Sequence, residues 1–339
     1  MTLLADWQLQ GPLLALWPYR NDVWRANARP AQQAILQLLN AVAKHHAVLL
    51  GIHPPQLQTA IPQLPDELAW APLRYDDAWL RDSGPHFVRE NFKVRAVAGE
   101  FDGWQGVHSH YQRDRRVPQQ LAQCCHSVLG KLPFIFEGGM LSHDGTGTAL
   151  VHAKSLQRRN PQWRLSELER QLQCALGLSR VIWIQHGLNA DETGGHVDNQ
   201  IQFIGADVIA FAGSQNDPLW NAEVQQLRQQ PWAKKYRWLQ LPESQLVYDD
   251  PTLFADVQRR PGVRARGMTG SLASYVNMIR LPEVLLVPQF SYRSCQSSNQ
   301  QALALLRDAL PELAVEPIDA TEMIRGGGGP HCLSLVLPS

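Results

Sequence analysis

Near the end of the 339-residue chain, residues 325–338 read RGGGGPHCLSLVLP: four glycines, a proline, a His-Cys pair and a strand-like apolar run. Glycine inside regular structure costs roughly 0.5–1 kcal/mol relative to alanine, so Gly326 to Gly329 mark a tight turn or a place where something approaches the backbone closely. The thiol they lead to, Cys332, has candidate partners far away in sequence: Asp82 in WLRDSGP, Glu137 in FEGGM, His196 and Asp198 in GGHVDN, and Asn277 in SYVN. With His196 and Asp198 two apart on a strand, both side chains share one face while Val197 points away, and an imidazole and a carboxylate face a common volume. A thiol beside an imidazole is the equipment of nucleophilic catalysis, in which a thiolate attacks and the imidazole moves protons. Neighbouring carboxylates raise the pKa of such a thiol, which argues against a neutral amide as substrate. A guanidinium removes the conflict. It is flat, permanently charged and forked, so carboxylates can grip it bidentately, and once bound its charge favours the thiolate.

Taken singly, each residue has an ordinary structural explanation. His-x-Asp fits a satisfied pair on a half-polar sheet face, Asp82 a turn or a surface ion pair, and Glu137 the end of a strand. The combination is what points to chemistry, provided the fold brings the five segments together.

One pattern recurs along the chain: an opening strand with a polar tip, a turn, a second strand, an amphipathic helix and a third strand. In FIFEGGMLSHDGTGTALV two strands flank a hairpin turn at Asp144-Gly145. The helix that follows carries Leu168, Leu172 and Leu176 on one face, with Ser166 and Glu169 spaced as a capping box and Gly177 at its exit. RVIWI then reads as a buried strand. Further copies open at AWLRDSGPHFV, GHVDNQIQFIG and SLASYVNMIRL. The first copy, with its helix started by Pro30, lacks an opening strand, and PHCLSLVLP is an opening strand with nothing after it. Joining them closes a ring of five. The expected fold class is therefore α/β, a single domain over residues 1–339 built as a five-bladed α/β propeller closed by pairing of the N- and C-terminal segments. The spacings between the polar tips are uneven, so insertions are expected, chiefly around residues 230–270.

Bulk properties fit a globular catalyst. Hydrophobic residues make up 44% of the chain, and 31 basic side chains balance 31 acidic ones, which leaves no basic surface for nucleic acid. The start MTLLADWQLQGP has no basic region followed by an apolar stretch, and no 18-residue uncharged apolar segment occurs, so a cytoplasmic protein without a membrane partner is expected. Five cysteines, two of them adjacent, suggest reduced thiols, most of them small buried hydrophobes. His108-x-His110 and the pair His143 and His152 lack the partners of a metal centre, and GTGT and GGGG lack the features of a phosphate cradle, so neither a metal nor another cofactor is expected. Homo-oligomerisation is left open.

The segments WLRDSGP, FEGGMLSHDGTGTAL, RRNPQWRLSELERQL, LNADETGGHVDNQIQF, SYVN and GGGGPHCLS, with WPYRNDVWR near the start, resemble the agmatine deiminase and Porphyromonas-type peptidylarginine deiminase family, from about residue 15 to the end. The resemblance implies the pentein fold, in agreement with the ring of five. It implies Cys332 as nucleophile, His196 as general acid/base, Asp82 and Asp198 as guanidinium-binding carboxylates, and Trp79 and Glu137 as pocket and supporting residues. Asn277, Gly327 and Gly328 complete the expected substrate site. The implied reaction is hydrolytic deimination of a small cationic guanidine, agmatine first and peptidylarginine second, through a thiouronium-type intermediate. Two departures bear on the substrate. Gly329-Pro330 replace the Asn and Ile or Leu that usually precede His-Cys, and residues 290–303 lack the acidic residue expected in that loop. A guanidine-binding pseudoenzyme, with Cys332 displaced by Pro330, stands as the non-catalytic alternative.

Overall fold

Alternating apolar residues make short strands, 3.6-periodic ones make the intervening helices, and the computed structural model repeats that alternation five times among the residues it describes, 1–187, 194–214 and 217–339. The first unit runs through strands His86–Glu90, Lys93–Glu100 and Leu129–Ile135, with helix Val117–Cys124 before the third. The second has strands Leu141–His143, Thr148–His152 and Arg180–Ile184 with helix Leu165–Leu176. The third has Ile201–Gly205, Val208–Ala212 and Arg237–Leu241 with helix Pro218–Gln229. The fourth has Ile279–Arg280, Val284–Gln289 and Ala314–Asp319 with helix Gln296–Ala309. In every unit the first two strands pair antiparallel and the second and third pair parallel, the helix serving as the crossover.

The fifth unit joins the two ends of the chain. Ser334–Val336 pairs antiparallel with Leu13–Leu16, with Leu335 opposite Leu14, and Leu13–Leu16 pairs parallel with Val48–Ile52 after the helix Arg29–Ala43. That helix starts with proline in its first turn and buries Ile35, Leu38, Leu39 and Val42, as the sequence pattern requires. The long connection after residue 241 contributes a small hairpin, Gln245–Val247 against Ser271–Ala273.

Local details depart from expectation in two places. Helix Leu165–Leu176 begins before Ser166: Arg164 occupies the cap, the Glu167 carboxylate accepts from the Arg164 N–H at 2.9 Å, and Glu169 accepts from Trp183 Nε1 instead. Gly177 does end it, at φ +68°. All five cysteines are free, but Cys124 and Cys174 are exposed and Cys125 is half-buried, because they lie on the outer faces of their helices or just beyond, so only Cys295 and Cys332 behave as core residues. Among the described residues no helix is long and apolar enough to cross a membrane.

The C-terminal strand is held mainly by burial of its side chains against the N-terminal strand. Leu335, 4% exposed, belongs to the largest apolar core. Leu335→Ala should lower the unfolding free energy by about 2–5 kcal/mol. An unshifted urea midpoint would show that the joint between the chain ends carries little of the stability.

Candidate active site

Asp82, Glu137, His196, Asp198, Asn277 and Cys332 each sit on the turn that feeds an opening strand, two to five residues before the strand begins. Asp82 is in the helical turn Leu80–Ser83, Glu137 caps the turn Gly138–Met140, and Asn277 and Cys332 lie in the turns just before Ile279 and Ser334. His196 and Asp198 are corrected in the same way. They belong to a 3-10 turn, Val197–Asn199, and the strand starts only at Ile201. The turn is closed locally: Asn199 N–H donates to His196 O at 3.3 Å and Gln200 N–H to Val197 O at 2.9 Å, so these carbonyls need no neighbouring strand.

The five turns touch in sequence order. Arg81 N–H donates to Cys332 O at 3.0 Å, and Gly139 N–H to Asp82 Oδ1 at 2.8 Å. His196 Nε2 lies 2.8 Å from Glu137 Oε2, Asn277 Nδ2 donates to Asp198 O at 3.3 Å, and His331 N–H donates to Asn277 Oδ1 at 3.0 Å. The chain of bonds thereby returns to the turn that carries Cys332.

Inside this ring Trp79, Asp82, His196 and Cys332 line one cavity of about 450 Å³, counted out to its open mouth, with Gly327 and Gly328 on another wall. Asp82 Oδ2 accepts from Trp104 Nε1 at 2.9 Å and lies 3.7 Å from His196 Nδ1. Glu137, Asp198 and Asn277 stand behind the wall. Glu137 holds His196 and is itself held by Arg159, whose Nη1 donates to Glu137 Oε1 at 2.7 Å and to Asp102 Oδ1 at 2.9 Å. Asp198 Oδ2 lies 2.9 Å from His331 Nδ1 and 3.5 Å from Cys332 Sγ, while its Oδ1 is enclosed without a hydrogen-bond partner among the described residues. Asn277 Nδ2 donates to the sulfur at 3.2 Å.

The electrostatics follow from burial. The Cys332 thiol is pushed well above the ordinary thiol range by burial, then by Asp198 and Asp82, against hydrogen bonds from Gly329 and Asn277 that favour the thiolate. Burial also raises Glu137, opposed by His196 and Arg159. For Asp198 burial acts upward, but the hydrogen bond and charge of His331 outweigh it and hold the carboxyl below its usual range. A neutral thiol next to an ionised carboxylate, on a cavity whose wall carries a second carboxylate, can capture a flat cation and be activated by it.

The glycines serve the protein as much as a ligand. Gly327 has φ +122°, a conformation side chains rarely adopt. A side chain on Gly326 would enter the Trp24 ring, one on Gly328 would meet Trp79 at 2.7 Å and Cys332 Cβ at 3.2 Å, and one on Gly329 would displace Asn277. Sequence reasoning missed Trp104, Arg159 and the placement of His331, and weighed His108 only as half of a metal pair, although His108 lines the cavity. Trp104 between Gly103 and Gly106 was the available signal. Residues 188–193 of the LNADETGGHVDNQIQF motif lie outside the described residues.

A profile of the family described as Porphyromonas-type peptidyl-arginine deiminase matches residues 2–338. A Yersinia pseudotuberculosis protein named "Putative agmatine deiminase" is 30% identical over 99% of this chain and 94% of its own length. Among solved structures, an agmatine deiminase of Enterococcus faecalis superposes with a TM-score of 0.90 at 24% identity, covering 99% of this chain and 95% of that one. A substrate-bound agmatine deiminase of C. jejuni superposes at 0.83 and 21% identity, covering 100% and 97%. These neighbours have the pentein fold, which this α/β chain shares.

The raised thiol pKa predicts selective protection. At pH 7.5, iodoacetamide should modify Cys332 at least about tenfold more slowly than exposed Cys124 or Cys174. Asp198→Asn removes the negative charge nearest the sulfur and should move the pH midpoint of Cys332 alkylation downward; site-resolved mass spectrometry showing an upward or unchanged midpoint would contradict that cause. Gly328→Val should abolish turnover and also lower the melting temperature, because its side chain would press on buried Trp79 and Cys332; unchanged turnover would contradict the close packing of this wall.

Proposed function

The chain belongs to the Porphyromonas-type peptidyl-arginine deiminase family, hydrolases of the C–N bonds of guanidino groups, and from that premise we propose that it deiminates a small cationic guanidine, agmatine first, to N-carbamoylputrescine and ammonia. The observation that carries the reading is the convergence of Cys332, His196 and Asp82 on one cavity, with the thiol held protonated until a cation arrives. In this reading the five units are the blades of an α/β propeller, one catalytic domain over residues 1–339 of a cytoplasmic enzyme. Their repeated strand order and the cyclic contacts of their turns support that arrangement.

The steps follow from the geometry. The guanidinium enters between the Trp79 and Trp104 side of the cavity and the glycine wall, and Asp82 accepts its N–H groups. The family resemblance assigns the second acceptor to Asp198, whose Oδ2 lies 3.5 Å behind the sulfur. The bound charge lowers the thiol pKa, the proton passes from Sγ to His196, and the thiolate adds to the guanidinium carbon. His196, oriented by Glu137, delivers a proton to the departing amino group, so the C–N bond breaks with loss of ammonia and a C–S thiouronium remains. His196 then takes a proton from water, the hydroxide adds to the same carbon, and cleavage of the C–S bond releases the ureido product and restores the thiol.

A colorimetric ureido assay across agmatine, arginine, guanidinobutyrate and a peptide ending in arginine tests the reading. Wild-type protein should give ureido product with at least one of them. Cys332→Ser should abolish it while retaining the fold, and a haloacetamidine should add one adduct to the wild-type intact mass and none to the variant. No product with any substrate, or full activity in Cys332→Ser, would overturn the proposal.

A further inference from the structure

Resting on the deiminase reading, we infer that His108, backed by Asp77, is the acceptor that recognises the distal ammonium of the substrate. His108 is 6% exposed and lines the same cavity as Asp82 and Cys332. Its Nδ1 is enclosed and lies 3.2 Å from Asp77 Oδ2. With Nδ1 turned toward Asp77, we assign the cavity side of the ring to Nε2. The negative charge of Asp77 favours a proton on Nδ1, which leaves Nε2 with its lone pair free to accept.

The position suits the far end of a guanidine. The His108 ring packs edge-on against Trp104 with centroids 4.8 Å apart, and Trp104 Nε1 donates to Asp82. Asp82, Trp104 and His108 thus form a continuous wall: a carboxylate for the guanidinium, an indole along the methylene chain, and an acceptor beyond it. Asp77 is fixed for this task by Trp24 Nε1 at 3.1 Å and Ala78 N–H at 2.7 Å, both on Oδ1.

The charge state agrees with an acceptor. Burial lowers the pKa of His108 most, Asp77 opposes it, and Arg20 and Arg266 lower it further, so the ring is neutral at pH 7. Arg20 is itself paired with Asp22, and Arg266, on the glycine side of the cavity, donates to Gly326 O. Asp77 remains ionised, because His108 and Arg20 outweigh its burial. The pair therefore presents one net negative charge behind a neutral lone pair, which attracts an ammonium.

The test compares agmatine with butylguanidine, which has the same chain without the amine. Wild-type kcat/KM should favour agmatine by about tenfold or more, the size of one charge-assisted hydrogen bond. His108→Phe keeps the ring against Trp104 and removes the acceptor; it should erase most of that preference, chiefly through KM. An equal loss on both substrates, or an undiminished preference, would overturn the inference and leave the deiminase reading standing. A wild-type enzyme that turns over both substrates equally would do the same without any variant, whereas turnover of no guanidine would remove the deiminase reading and this inference together.

Discussion

Three buried carboxylates cluster where one sulfur and one imidazole meet, and that crowding governs the site. Asp82 is 7% exposed and Glu137 and Asp198 are fully buried. Buried charges persist when they are paired or richly hydrogen-bonded, and each acid meets the requirement differently. Glu137 has the Arg159 guanidinium and His196, and Asp198 has His331. Asp82 receives two neutral donors, Gly139 N–H and Trp104 Nε1, and among the described residues its ion-pair contact is to the imidazole of His196. The cavity wall thus carries the least compensated acid. A cation is the natural complement, and the same field that attracts it keeps the thiol inert beforehand. In the proposed reaction binding and activation become one event, which would guard a reactive sulfur against adventitious electrophiles.

The repeated topology explains how distant residues meet at such a point. In each unit the chemistry lies on the turn entering the first strand, and the same three-strand ladder lies behind it, extended by a fourth strand in two units. Five turns aimed at a common centre supply one or two functional groups each, on short pieces of backbone with their hydrogen bonds closed locally. Rigidity comes from the ladders and from the bonds between turns; no single segment must fold precisely alone. The pairing of Ser334–Val336 with Leu13–Leu16 adds the last member, because it sets Cys332 within reach of turns that precede it by 55 to 250 residues.

Much of this was legible in the sequence because it is periodic. The change from strand alternation to helical spacing around Leu168, Leu172 and Leu176, the hairpin at Asp144-Gly145 and the complementary half-units at the two ends all survive into the structure. What the sequence concealed has no period. A three-residue 3-10 turn at Val197–Asn199 carries the same His-x-Asp spacing as a strand, and nothing local separates the two readings. Arg159 reaches Glu137 across 22 residues, and His108 meets Asp77 across a gap of 31. Such partners are chosen by tertiary packing, so residue type and spacing alone cannot identify them. The cysteines illustrate the opposite failure: a general tendency of thiols toward burial misplaces Cys124 and Cys174, whose helical positions face solvent.

The departure at Gly329-Pro330 can be judged on the same physical grounds. Pro330 brings no N–H, but its carbonyl accepts from Leu333 N–H at 3.3 Å, so its fixed φ closes the turn that carries Cys332. Gly329 is required because Asn277 occupies the space a side chain would need, and Asn277 in turn binds the sulfur and the His331 N–H. The substitution is therefore absorbed within two residues of the thiol, and Cys332 stays in contact with Asn277 and Asp198. A loop that keeps its sulfur in register has no reason to change the reaction. Differences in what is accepted should instead arise where the wall is not constrained by the ring of turns, at Trp104, His108 and the outer mouth.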